Sequence, residues 1–250
     1  MKFHRKSGKI KYGITGLSIG EFNYDEYSTQ IGYWVNNALF FYVRDNYTAV
    51  ELNRLASSEK VVFSADVVFA YDFEPQNIRE QKKIGVNLRN LPYVDLSGEF
   101  EWGKWNEAIM ESTHLEVVGI PDQYDFSEKV TFPVEMDNFP EKTLKVISES
   151  EYMIAMRFHV LLMAARLGKV CIPICYCPKV ERLAEQLGIS SLKLGVHDYD
   201  CLPMIIKKVE SSQEKYEAII KSHVKELEKK AKEMFENISE ILTEEIKNGK

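Results

Sequence analysis

The sequence predicts an α/β protein with parallel sheets in two halves and a long helix at its C-terminal end. Three observations predict it. Short apolar runs alternate with stretches whose apolar residues recur at helical spacing, which implies parallel sheets covered on both faces. Around Tyr71 to Gln81 the pattern breaks: DFEPQNIREQKK is polar and carries a proline, as interdomain linkers do. From Ser212 onward, Ile220, Val224, Leu227, Ala231, Met234, Ile238 and Ile241 recur at alternating spacings of four and three among Glu and Lys. That is the stripe of an amphipathic helix. The expected divisions are 1–75, 82–211 and 212–250.

In the first half, Ile10 to Leu17 reads as a strand that runs into the glycine-bearing loop GLSIGEF. Tyr27 to Ala38 has helical spacing, and Phe40 to Val43 is a short apolar strand closed by Arg44 and Asp45. Thr48 to Leu55 reads as a helix capped by Asp45 or Asn46, whose side chains accept from first-turn amides. Lys60 to Phe63 and Val67 to Ala70 read as short strands.

The second half repeats the alternation. Expected strands are Lys83 to Leu88, Leu115 to Gly119, Tyr152 to Ala155 and Val170 to Cys175. Expected helices are Trp102 to Ser112, Lys142 to Glu149, Phe158 to Leu167 and Val180 to Leu187. Ligands of such sheets bind at the carboxyl ends of the strands. For the tail helix, packing across the protein's own domains is favoured over self-association, because the stripe lasts only three to four heptads.

Bulk properties exclude some classes. The chain has 250 residues, is 45% hydrophobic and 28% charged, and carries a net charge of −6 with both signs spread along it. A nucleic-acid protein would show a basic face. An acidic total does not exclude an anionic substrate, because a few arginines in a cleft set the local field. The basic start MKFHRKSGKIKYG has no apolar stretch behind it, unlike a signal peptide. No apolar run approaches the ~20 residues that span a bilayer. The expected location is the cytoplasm, including a peripheral position at the inner membrane face.

Cys171, Cys175 and Cys177 in CIPICYC would share one face of a strand. Metal ligands converge from turns, so small buried thiols are the better reading, and no metal site is expected.

The residues with most chemistry are Arg157, Phe158 and His159, between the apolar strand YMIAM and the apolar helix VLLMAARL. A helix start at a strand end offers amides and partial positive charge to an anion. Arg157 adds a fork suited to carboxylate or phosphate, and His159 a proton near neutral pH. Phe158 would point toward the core. Spacing alone leaves a surface arginine and an incidental histidine equally open. Arg89 closes IGVNLR and reads as an anion clamp at the end of a central strand.

The run MRFHVLLMAARLGKVCIPICYCPKVERLAEQLG, Met156 to Gly188, resembles the polysaccharide pyruvyl transferases. In that family a segment reads approximately R-[LF]-H-A-L-x-x-A-A-x-x-G-x-P, then a strand, then Y-D-P-K-V and later L-G. Here Arg157, Phe158, His159, Leu161, Ala164, Ala165, Gly168, Pro173, Tyr176, Pro178, Lys179, Val180, Leu187 and Gly188 follow it in order. FYVRDNYTAVELNRL, Phe41 to Leu55, is similar to a V-R-D-x-x-S segment, and SADVVF, Ser64 to Phe69, to A-D-P-x-F. The likeness runs from about Gly13 to Glu210. Cys177 replaces the aspartate of Y-D-P-K-V, and Ser18-Ile19-Gly20-Glu21 stands where S-I-G-P is usual. Family members usually carry further strands ahead of the segment equivalent to Tyr12, so the first half is expected to be shortened.

The resemblance implies two Rossmann-like halves, as in B-type glycosyltransferases. It also implies transfer of a pyruvyl group from phosphoenolpyruvate to a sugar, as a ketal. Arg157, Arg89 and the helix start would hold the donor, and His159 would act as general acid. Lys179 would approach the phosphate, and Gly20 would border substrate. Tyr176 reads as packing. No cofactor is implied, since phosphoenolpyruvate is a substrate, and the acceptor would be a sugar or lipid-linked glycan. A homo-oligomer through the tail helix is the remaining partner. Two alternatives stay open: a nucleotide-sugar glycosyltransferase of B type, and a truncated, non-catalytic family member.

Overall fold

The computed structural model of the chain describes residues 11–20, 24–72, 83–89, 100–120, 127–135 and 141–248. Most of the expected linker lies outside them. Two compact units are present: Met1–Tyr71 together with Glu226–Lys250, and Asp72–Lys225. No described helix is long and apolar enough to cross a membrane.

The first unit holds a three-stranded parallel sheet, β1 (Ile14–Leu17), β2 (Phe41–Val43) and β3 (Val61–Phe63), in that spatial order. Helices α1 (Ser28–Asn37) and α2 (Asn46–Ala56) connect the strands. Val35, Phe41, Val43, Leu52 and Val61 form the core between them. β1 begins at Ile14, later than the Ile10 expected, which lies outside the described residues; within it Gly16 takes a positive φ of 72° and the register with β2 slips between Ile14 and Leu17. Asp45 caps α2, its carboxylate accepting from the Thr48 amide at 2.8 Å.

Val67–Ala70 is a 3₁₀ turn, not the strand expected from its apolar run. The Asp66 carboxylate accepts from the Val68 amide and curls the chain, while Arg44 holds the same carboxylate at 2.9 Å. A four-residue apolar run has no period of its own, so this local competition decides its shape.

The second unit is a five-stranded parallel sheet. Its strands are β4 (Lys83–Asn87), β5 (Glu116–Gly119), β6 (Ser150–Ala155), β7 (Val170–Cys175) and β8 (Leu194–Gly195). They lie in the order β5-β4-β6-β7-β8. Helices α3 (Trp102–Ser112), α4 (Glu141–Glu149), α5 (Phe158–Arg166), α6 (Pro178–Gln186) and α7 (Leu202–Glu210) complete it. Sequence patterning did not identify β8, which has two residues, or α7. β4, β6 and β7 are apolar on both faces, with Val86, Ile154 and Ile172 fully buried, as helices on both sides require. Gly168 follows α5 with φ 73°, and the Lys169 amide returns to the Ala164 carbonyl at 2.9 Å, which stops the helix.

The long helix α8 (Gln213–Asn248) is divided between the units. Tyr216, Ile220 and Val224 are buried in the second unit, and Leu227, Ala231, Met234 and Ile238 in the first. The heptad-like stripe is therefore covered by the chain's own domains. In the first unit, Ser64 donates to the Lys230 carbonyl at 3.0 Å, and Thr15 to the Met234 sulfur at 3.0 Å.

Cys171 is fully buried in β7, and burial pushes its thiol well above the usual range. Burial also pushes Cys175, half-buried at the strand end, up to about 12. Cys177 lies beyond the strand, at the N-cap position of α6, so the three thiols do not share one strand face.

Candidate functional site

The site is built on the second sheet's strand order. β4 comes first in sequence, β5 lies on one side of it and β6 on the other. The chain reverses its direction of winding between β4 and β6, and such a switch point opens a crevice at the carboxyl ends of the strands. Asn87 closes β4 there and is fully buried. Its Nδ2 donates to the Ile120 carbonyl beyond β5 at 2.9 Å, and its Oδ1 accepts from the Arg157 amide beyond β6 at 3.0 Å. The Met156 amide donates to the Asn87 carbonyl at 2.9 Å. One amide side chain thus ties three strand ends together.

Arg157 is the N-cap residue of α5, in extended backbone, and its side chain makes no capping bond to the helix. The α5 first turn therefore directs amides and partial positive charge to the carboxyl edge. Phe158 turns inward and is buried, while His159 is exposed and its ring meets Phe158 edge-on at 5.3 Å.

Arg89 stands two residues beyond β4. Its guanidinium Nη1 donates to the Tyr176 hydroxyl at 2.7 Å, and its Cζ lies 5.4 Å from the Tyr176 ring centre. Tyr176 follows β7, and β6 lies between β7 and β4. The Arg89–Tyr176 pair therefore bridges the end of β6, at the turn that carries Arg157 and His159. Burial pushes the Tyr176 phenol up to about 12; Cys177 adds to that rise and Arg89 opposes it.

Lys179 is half-buried in the first turn of α6, after Pro178 at the helix start. The structure thus brings Arg89, Arg157 and His159 to the ends of neighbouring strands, with Lys179 one strand further on. Gly20 belongs to the first unit, beyond β1, with open space where a Cβ would stand. In that loop Ser18 donates to Asp45 at 2.6 Å, and the Ile19 amide to the Thr48 hydroxyl at 3.1 Å. Sequence reading did not single out Asn87, and it took Tyr176 for a packing residue. The signal for Asn87 was its place as the one polar side chain in the otherwise apolar run IGVNL.

The fold is that of B-type glycosyltransferases. Accessory secretory protein 1, 2 and 3 of Streptococcus pneumoniae superposes with a TM-score of 0.59 at 10% identity, over 91% of this chain and 48% of that one. A glycosyltransferase from Rickettsia africae gives 0.57 at 11% identity, over 91% and 70%. The pneumococcal O-GlcNAc transferase GtfA, in complex with UDP and GlcNAc, gives 0.54 at 13%, over 86% and 47%. The chain spans about half the length of the first and third of these. No curated protein matches it. The sequence profile of the polysaccharide pyruvyl transferases matches residues 2–178, and the chain belongs to that family. The match includes Gly20, Arg89, Arg157 and His159 and ends one residue before Lys179.

Proposed function

We propose that this protein transfers a pyruvyl group from phosphoenolpyruvate to two hydroxyls of a sugar in a cell-surface polysaccharide, closing a ketal and releasing phosphate. The observation that carries the reading is the Arg89 guanidinium lying across the end of β6, at the turn of Arg157 and His159. Two arginine forks beside a helix start suit a small ligand with both a carboxylate and a phosphate.

In this reading Arg89, Arg157 and the α5 first turn hold the donor's anionic groups, and Lys179 approaches the phosphate from α6. His159 protonates the methylene carbon as general acid, leaving a cationic centre at the neighbouring carbon. One sugar hydroxyl adds there and loses its proton. The carbon–oxygen bond to phosphate then breaks, the phosphate leaves, and the second hydroxyl adds and loses its proton. Charge develops beside fixed donors, where preorganised electrostatics lower a barrier most. The acceptor is a sugar or a lipid-linked glycan.

A nucleotide sugar is the competing donor, since the shared fold houses UDP and GlcNAc in GtfA. Phosphate release from phosphoenolpyruvate, measured with polysaccharide precursors as acceptors, tests the reading. Turnover of a nucleotide sugar, with none of phosphoenolpyruvate, would replace it.

A further inference from the structure

We propose that Tyr176 is a positioning residue that holds Arg89 as an anion clamp through a neutral tether. An arginine side chain has several rotatable bonds and about 2 kcal/mol of rotamer entropy. Left to itself at a strand end, it samples solvent. Arg89 is instead fixed from two directions. The phenol oxygen accepts from Nη1 at 2.7 Å, and the ring lies 5.4 Å from Cζ. The tyrosine reaches it from the second strand over. With strands ~4.8 Å apart, the pair spans roughly 10 Å of sheet edge, so the guanidinium is drawn over the end of β6.

The neutrality of the tether matters as much as its reach. Arg44, in the first unit, shows the alternative. It is held at 2.9 Å by the Asp66 carboxylate, with both side chains largely buried. A carboxylate fixes an arginine and cancels its charge. A protonated phenol fixes an arginine and adds no opposing charge of its own. Burial keeps the Tyr176 phenol protonated throughout the neutral range, with its pKa pushed up to about 12. Donation from Arg89 to the phenol oxygen also polarises the tyrosine's own O–H, which sharpens it as a donor. Packing alone would need only the ring of Tyr176. The hydroxyl is what contacts the guanidinium.

The proposal rests on the donor reading above only for the identity of the anion; the clamp itself is tested with inorganic phosphate. Wild type, Tyr176→Phe, Arg89→Ala and the double variant are titrated calorimetrically with inorganic phosphate and with phosphoenolpyruvate, and their melting temperatures are recorded. Tyr176→Phe keeps the ring and removes only the tether. It should weaken both anions at least about tenfold, the worth of one hydrogen bond to a charged group. It should raise KM for phosphoenolpyruvate with kcat within about twofold, leave the melting temperature in place, and add nothing in the Arg89→Ala background. Wild-type affinity in Tyr176→Phe overturns the proposal. So does an equal loss with and without Arg89, or a lowered melting temperature with affinity intact. If wild type binds phosphate but not phosphoenolpyruvate, the donor reading falls and the phosphate cycle still decides Tyr176. If wild type binds neither, Arg89 is no anion clamp and the proposal falls with it.

Discussion

The amide of Arg157 donates to the buried Oδ1 of Asn87 at 3.0 Å, across the point where the second sheet reverses its strand order. The other end of the same side chain holds the Ile120 carbonyl at 2.9 Å. Asn87→Leu keeps the approximate volume and leaves both backbone groups without this partner. It should cost about 2 kcal/mol, the usual penalty for orphaned buried polar groups. A urea denaturation series reads this directly. An unchanged midpoint would mean that the three strand ends are held by their ladder bonds alone.

His159 is exposed, so its replacement should act on chemistry and leave stability alone. His159→Asn should abolish turnover while unfolding within about 0.5 kcal/mol of wild type. A general acid works only while protonated, so wild-type kcat should fall on the alkaline side of the imidazole pKa. Normal turnover by the asparagine variant would remove His159 from the mechanism.

Arg157 and Lys179 should separate by the geometry of their charge. Arg157→Lys keeps the charge and loses the fork, so KM for phosphoenolpyruvate should rise at least about tenfold. Lys179→Met removes a charge from the first turn of the neighbouring helix and should raise KM less. A larger effect at Lys179 in steady-state kinetics would move the phosphate toward α6.

Lys169 is 6% exposed, and burial lowers its pKa, partly offset by Glu217 and Glu151. The folded protein then binds fewer protons than the unfolded chain between the lowered pKa and the ordinary lysine value. Stability contributed by this group therefore rises with pH across that window and is at its lowest below it. Lys169→Met should stabilise the protein at neutral pH by about 1 kcal/mol, an advantage that shrinks as pH climbs toward ~10.4. Thermal melts across that pH range test it, and a destabilised variant would show that the two glutamates outweigh burial.

Met234 and Phe235 are neighbours on α8 with opposite exposure, 1% against 43%. Met234→Ala should cost about 2–3 kcal/mol in the first unit, through lost burial and the cavity left beside Thr15. Phe235→Ala should stay within about 0.5 kcal/mol. The reverse order in denaturant unfolding would place a different face of the helix against the sheet.

The alternation of periods carried most of the fold. α3 and β7 have the boundaries read from the sequence, α3 because its apolar residues keep helical spacing and β7 because an unbroken apolar run is closed by Gly168 on one side and Pro178 on the other. Val67–Ala70 failed because its four apolar residues fit either state and the side chains of Asp66 and Arg44 chose between them. β8 and α7 escaped notice because one is two residues long and the other sits between a recognised motif and a conspicuous tail.

The sequence by itself determined most of the elements, the family, and the placement of Arg157 and His159 at a strand-to-helix turn. All of these are local, set by side chains within a few residues of one another. The order of the strands was decided only by the tertiary structure, and with it the functional neighbourhood. Arg89 and Tyr176 are 87 residues apart and stand just beyond strands that do not touch. Nothing in the spacing of the chain says that β6 lies between them. Asn87 likewise reads as an oddity in an apolar strand until β5 and β6 close on either side and supply its two partners. A parallel sheet is joined through crossovers, so its neighbours are chosen by how the helices pack over it, and that choice belongs to the whole unit.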